Sequence, residues 1–180
     1  MIVIVEGMDN AGKTTLCQYL AKQLKAVYVK VERPNRAIDL LQYQSLLEVA
    51  NRYSGFVVTD RHVAISEPIY GPICRGGHDL KQEDIDLCVM RFQAIVYCRP
   101  PIESIMATLA DRGQMQGVKE NTERLVEAYD AWWSNVVDRR ERMSGPTPFI
   151  SAYNFTADPN GHVREHLMNS LKEQKEVCGL

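Results

Sequence analysis

Residues 7–14 read Gly7, Met8, Asp9, Asn10, Ala11, Gly12, Lys13 and Thr14, followed by Thr15, and this run fits the pattern G-x-x-x-x-G-K-[ST]. Its setting constrains the fold as strongly as its letters. The β-branched run at residues 2–5 comes before it, and a stretch with apolar residues at Leu16, Leu20 and Leu24 follows it. A strand that turns through glycines into a helix N-terminus is a phosphate cradle. Glycine reaches backbone conformations closed to other residues, so successive N–H groups converge on phosphate oxygens, and the helix end adds partial positive charge. In that role residues 7–15 bind the phosphates of ATP, Lys13 reaches the β- and γ-phosphates, and the Thr14 hydroxyl ligates Mg²⁺. The cradle implies triphosphate binding and leaves the phosphate acceptor open.

The rest of the chain alternates strand-like and helix-like stretches. Strands are expected at residues 2–5, 26–31, 56–59, 93–98 and from Phe149 to Ile150. Helices are expected at residues 12–25, 38–50, 81–91 (opened by Asp79), from Pro100 to about Arg112, at 121–143, and at the end of the chain after the turn at 158–161. Continuous apolar strands alternating with helices predict an α/β fold, a doubly wound five-stranded parallel sheet of the P-loop kinase type. No repeat, linker or low-complexity tract divides the 180 residues, so a single domain is expected. The glycine- and base-containing stretch at 112–120 suits either a lid that closes over substrate or an ordinary connection.

Ligands gather where strands end in open α/β sheets. The second strand runs into Glu32, Arg33 and Pro34 with Arg36 nearby, and the third into Asp60, Arg61 and His62. Asp60 is a candidate metal ligand beside Thr14, and Arg61 a candidate clamp on the transferring phosphoryl group. Asp9 carries a carboxylate inside the cradle itself. Lys13, Asp9, Arg61 and Asp60 are therefore the candidate catalytic residues. Glu32, Arg33, Arg36, Tyr70 and Arg112 are the candidates for substrate, Tyr70 as a ring on which a base stacks.

The stretch from Glu6 to Thr15 resembles the E-G-x-D-x-A-G-K-T-T of thymidylate kinases, and Asp60-Arg61-His62 with Ser66, Tyr70-Gly71 and Arg75-Gly76-Gly77 is similar to that family's D-R-[YH] segment. The resemblance runs to about residue 155. It implies that Asp9 and Arg61 face the acceptor and that 112–119 is a lid. Only residues 35–59 separate Pro34 from Asp60, much less than the family uses to enclose a free monophosphate. This shortening is similar to a bacteriophage branch that phosphorylates the hydroxymethyl group of 5-hydroxymethyluracil in DNA. Two acceptors stay open: that hydroxyl, which must lose a proton to a carboxylate such as Asp9, Glu32 or Asp60, and free dTMP, which needs cationic clamps. A kinase of an unrelated small alcohol or acid, or a nucleotide-dependent switch, is the wider alternative. No N-K-x-D guanine signature supports the switch.

Composition narrows the setting. A formal charge of -2, from 21 basic and 23 acidic residues, means that any DNA contact must come from a local patch. Five cysteines without a Cys-x-x-Cys pair argue against a disulfide framework or zinc site and for a reducing cytoplasm. The apolar N-terminal run stops at Glu6, so no membrane segment is expected; a homodimer is allowed. His162 and His166, one turn apart, lack further ligands. Of the adjacent Trp132 and Trp133, one is expected in the core and the other partly exposed. The mixed charges at 138–142 read as a solvated helix end.

Overall fold

The computed structural model describes residues 1–30, 40–109, 117–143 and 147–177. Five strands form one parallel sheet: β1 (Ile2–Glu6), β2 (Val27–Lys30), β3 (Val57–Asp60), β4 (Ala94–Cys98) and β5 (Phe149–Tyr153), in the order β2-β3-β1-β4-β5. β1 is central because it can be: every one of its residues is buried, and Ile4 lies in register with Thr59 on one side and Ile95 on the other. Edge strand β2 has no buried residue, which fits its half-polar sequence. After β1 the chain builds β2 and β3 on one side, then β4 and β5 on the other. The reversal opens a crevice at the carboxyl ends of β1, β3 and β4.

Alternation along β1 splits the core into two. Met1, Val3 and Val5 face α1 (Lys13–Leu24) and α7 (His162–Val177), where Leu16, Leu20, Leu167 and Leu171 meet them. Ile2 and Ile4 face α2 (Leu40–Ser54), α3 (Val63–Tyr70), α4 (Gln82–Val89), α5 (Ile102–Leu109) and α6 (Thr122–Arg142). The helices thus cover both faces of the sheet as the apolar strands require. No helix among the described residues is long and apolar enough to cross a membrane.

Most elements lie where the periodicity places them. α3 falls in a stretch with no expected element; Pro68 lies inside it, and Gly71 and Pro72 follow. The helix survives because the His62 ring caps it, Nδ1 accepting from the Ala64 N–H at 3.2 Å, and because the chain then widens into a π-type turn at Gly71–Arg75. α4 starts at Gln82 without a side-chain cap, so Asp79 does not open it. β5 is longer than Phe149 and Ile150, because Ser151 and Ala152 pair with Val96 and Tyr97 despite their weak strand preference. Trp132 and Trp133 do not divide into core and surface: both are half-buried, each packing on the Tyr97 ring. Residues 138–142 are all exposed, as the mixed charges imply.

Leu20 of α1 is fully buried against the β1 face of the sheet. Leu20→Ala is expected to lower unfolding stability by about 2–5 kcal/mol, read as a shifted urea midpoint with an unchanged slope.

Candidate active site

Local backbone geometry builds the cradle. Gly7 leaves β1 at φ 140° and passes so close to β4 that a Cβ there would overlap the Cys98 carbonyl oxygen. Gly12 caps α1 at φ 84°, with the Phe155 ring 2.8 Å from where its Cβ would lie. Asn10 also adopts a left-handed conformation, and its side-chain Nδ2 is buried without a hydrogen-bond partner in the protein. Lys13, 6% exposed, donates from Nζ to the Met8 carbonyl at 2.6 Å. Burial lowers the Lys13 pKa, and the nearby Arg61 cation adds to this, while Asp9 and Asp60 oppose it. Phosphate oxygens beside Nζ would favour the charged form further.

Thr14 and Asp60 come from different elements, α1 and the end of β3, and the Thr14 hydroxyl donates to Asp60 Oδ2 at 2.5 Å. Tyr28 on β2 donates to the same oxygen at 3.3 Å. A hydroxyl and a carboxylate side by side at the mouth of a phosphate cradle form a hard-oxygen pair that suits Mg²⁺, which takes one or two protein oxygens, phosphate oxygens and water. The orphaned Asn10 amide and the Lys13 ammonium fit the phosphates themselves. Mg²⁺ bound there would neutralise developing charge on the phosphates. Among the described residues no cluster of three acidic, His or Cys side chains offers an alternative metal site.

Arg61 follows Asp60 at φ 77°, a costly conformation for a residue with a side chain. Its neighbours impose it. The Arg61 N–H donates to the Val5 carbonyl at 3.0 Å, and its carbonyl accepts from the Thr59 hydroxyl at 2.7 Å and from Tyr43 at 3.4 Å. The guanidinium is thereby aimed at Asp9, with which it forms an ion pair, and at the hydroxyls of Tyr70 (3.1 Å) and Tyr129 (3.4 Å). The Tyr70 hydroxyl also accepts from the Asp9 backbone N–H at 3.1 Å. Tyr70 is consequently not the loop-borne stacking ring expected from the sequence. It ends α3, is 2% exposed, and carries Arg61 over its ring at 4.8 Å.

Lys13, Thr14, Asp60, Asp9 and Arg61 therefore meet at one end of β1 and β3, as their positions after strands imply. Glu32, Arg33, Arg36 and Arg112 lie outside the described residues, as does much of the stretch at 112–120. A cleft of about 280 Å³ continues from the cradle past Thr15, Thr108, Tyr153, Phe155 and Arg164, with room beside the cradle for the base of a nucleotide. None of the last four carries a local signature, because they converge only when β5 and α7 pack beside α1. Glu6, which ends the apolar N-terminal run and opens the stretch that resembles thymidylate kinases, is fully buried. Burial raises its pKa, against the opposing pull of Arg61, the His62 N–H and Lys13.

No protein-family model and no curated protein sequence matches the chain. Solved structures do. The YorR protein of Bacillus subtilis, in complex with phosphorylated GDP, superposes with a TM-score of 0.70 at 17% identity over 96% of both chains. The deoxyadenosine kinase of M. mycoides, with products dCMP and a flexible dCDP bound, gives 0.61 at 17% identity over 96% of this chain and 100% of that one. The same enzyme with dATP gives 0.59. At that identity the likeness shows a shared fold: the five-stranded parallel sheet of P-loop kinases.

His62 supplies a test of the site's frame. Burial lowers its pKa to about 3, and its ring is held between Ala64 N–H and the Gln44 amide oxygen, 3.1 Å away. The unfolded chain takes up the proton near pH 6.5 and the folded chain does not, so stability is lost as pH falls below that value. The wild type is expected to lose about 2 kcal/mol more between pH 7 and pH 5 than His62→Asn, which keeps a cap acceptor but does not titrate. Urea titrations at the two pH values check it.

Proposed function

We propose that the chain is an ATP- and Mg²⁺-dependent kinase acting on a thymine-like nucleoside or nucleotide. The observation that carries this reading is the 2.5 Å contact between Thr14 and Asp60 beside Lys13, which joins a metal-binding pair to a phosphate cradle across two elements. The fold shared with a deoxyadenosine kinase, and with YorR holding a phosphorylated GDP, supports it. In the reaction the acceptor oxygen bonds to the γ-phosphorus, the bond from that phosphorus to the β-γ bridging oxygen breaks, and ADP leaves with the electron pair. The acceptor proton passes to a carboxylate or to solvent. Lys13 meets the β- and γ-oxygens, Thr14 and Asp60 hold Mg²⁺, and Arg61 with Asp9 faces the acceptor.

The finer reading is transfer to the hydroxymethyl group of 5-hydroxymethyldeoxyuridine in DNA, a step of thymine hypermodification in bacteriophage. Between β2 and β3 the described residues hold one helix, α2, which favours an acceptor side open enough for a polymer. Arg61 has three polar partners within the protein, Asp9, Tyr70 and Tyr129, which weakens its claim as a clamp reserved for a free monophosphate. In this reading Asp9, which lies beside Arg61 on the acceptor side, is the described carboxylate nearest the acceptor, while Asp60 is held by Thr14. The second reading, dTMP converted to dTDP, draws on the same Arg61 cation and on the bound deoxynucleotides of the M. mycoides enzyme. Either way the chain works as one domain, alone or as a homodimer. Its four described cysteines are free, which suits a reducing cytoplasm.

With labelled ATP and a panel of acceptors, label is expected on 5-hydroxymethyluracil DNA; transfer to dTMP alone would select the second reading. Lys13→Ala is expected to lower the rate by at least about 100-fold on whichever acceptor works, by removing the charge opposite the β- and γ-phosphates.

A further inference from the structure

Glu6 is the last residue of β1 and wholly inaccessible, so it can touch neither nucleotide nor acceptor. A carboxylate in that position is costly unless donors surround it. Three do. Oε1 accepts from the His62 backbone N–H at 2.5 Å, and Oε2 accepts from the Gly7 N–H at 3.3 Å and from the Tyr129 hydroxyl at 3.1 Å. The donors belong to three different parts of the site: the first residue of the cradle, the turn that carries Arg61, and α6. Tyr129, equally inaccessible, continues the chain, since its hydroxyl oxygen accepts from Arg61 Nη1 at 3.4 Å. The polar path thus runs Asp9, Arg61, Tyr129, Glu6, and back to the cradle through Gly7.

Sheet packing alone does not require this carboxylate. The neighbouring inward positions of β1 are filled by Ile4 and Val5, and an apolar side chain at position 6 would fill the space while leaving the His62 and Gly7 N–H groups and the Tyr129 hydroxyl without their acceptor. What an apolar residue cannot do is fix the Tyr129 hydroxyl rotor so that its oxygen faces Arg61. Arginine is a long side chain with several rotatable bonds, and its aim depends on fixed partners at the far end. A misplacement of about 1 Å at a group that clamps a reacting phosphoryl costs up to about 100-fold in rate.

We propose that Glu6 and Tyr129 are positioning residues for phosphoryl transfer: together they lock the Arg61 guanidinium in register with the phosphate cradle. The inference rests on the kinase reading and adds two residues that touch no substrate. Both act on turnover. Nucleotide affinity stays with the cradle amides, Lys13, Thr14 and Asp60.

The test uses the intact chain with Mg-ATP and the acceptor that the panel identifies. Tyr129→Phe keeps the ring and its stacking on Tyr97 and removes only the hydroxyl. Its kcat is expected to fall about 10- to 100-fold with the ATP Kd from calorimetry within about twofold of wild type, while the melting midpoint drops by a few degrees because the buried carboxylate loses one of its three donors. Glu6→Gln, which is isosteric, is expected to lose kcat to a similar degree. The double variant should lose little beyond either single one, because both changes release the same guanidinium. Tyr97→Phe serves as control: its hydroxyl donates to Asp130 at 2.7 Å within the same aromatic cluster and lies outside the path, so its kcat should match wild type. Wild-type kcat in an active Tyr129→Phe enzyme overturns the inference alone, and so does a parallel fall of kcat, ATP affinity and melting midpoint, which is the mark of a purely structural role. A wild type that binds Mg-ATP yet phosphorylates no acceptor overturns the kinase reading and this inference with it.

Discussion

The close approach of β1 to β4 governs everything above it. At Gly7 the backbone leaves the sheet where even one methyl group would collide with the Cys98 carbonyl, so the turn that follows is forced outward over the strand ends. The left-handed Asn10 and Gly12 then bend it back into α1. Parallel pairing brings Asp60 level with Val5 and Tyr97 level with Glu6, which puts the ends of β3 and β4 beside the cradle. The cradle, the Thr14–Asp60 contact and Arg61 are thus brought together by one strand register.

That register explains what could be read from the chain. The cradle is a local object: its glycines, lysine and threonine follow one another, and a motif shows it. Asp60 and Arg61 were legible through a weaker rule, since charges that follow a buried strand lie at the sheet edge where ligands collect. Strand-helix alternation was enough for the fold class because the apolar runs of β1, β3 and β4 are buried along their whole length, as strands covered on both faces are. α3 was hidden because its stability comes from the His62 cap and the widened turn after it, both stronger here than the break that Pro68 signals. The partners Tyr43, Tyr129, Phe155 and Arg164 left no trace in the sequence. Each sits on an unremarkable helix or turn, and only tertiary packing, across as many as 123 residues between Glu6 and Tyr129, gives it a role.

The site is also ordered by polarity. Lys13 and Arg61 are both largely buried near one another, an arrangement that would repel were Asp9, Asp60 and Glu6 not interleaved with them. Each cation keeps an anionic neighbour: Asp9 and Asp60 lie near Lys13, and Asp9 pairs with Arg61. A chain of net charge -2 can therefore present a cationic focus to a nucleotide without a basic surface overall.

Position 61 is where folding and chemistry disagree. At φ 77° a glycine would relax the turn after β3, whereas arginine holds it under tension against Val5, Thr59 and Tyr43. Selection for robustness alone would favour the smaller residue there; under the kinase reading, the guanidinium held against Asp9 is what the strained torsion angle keeps.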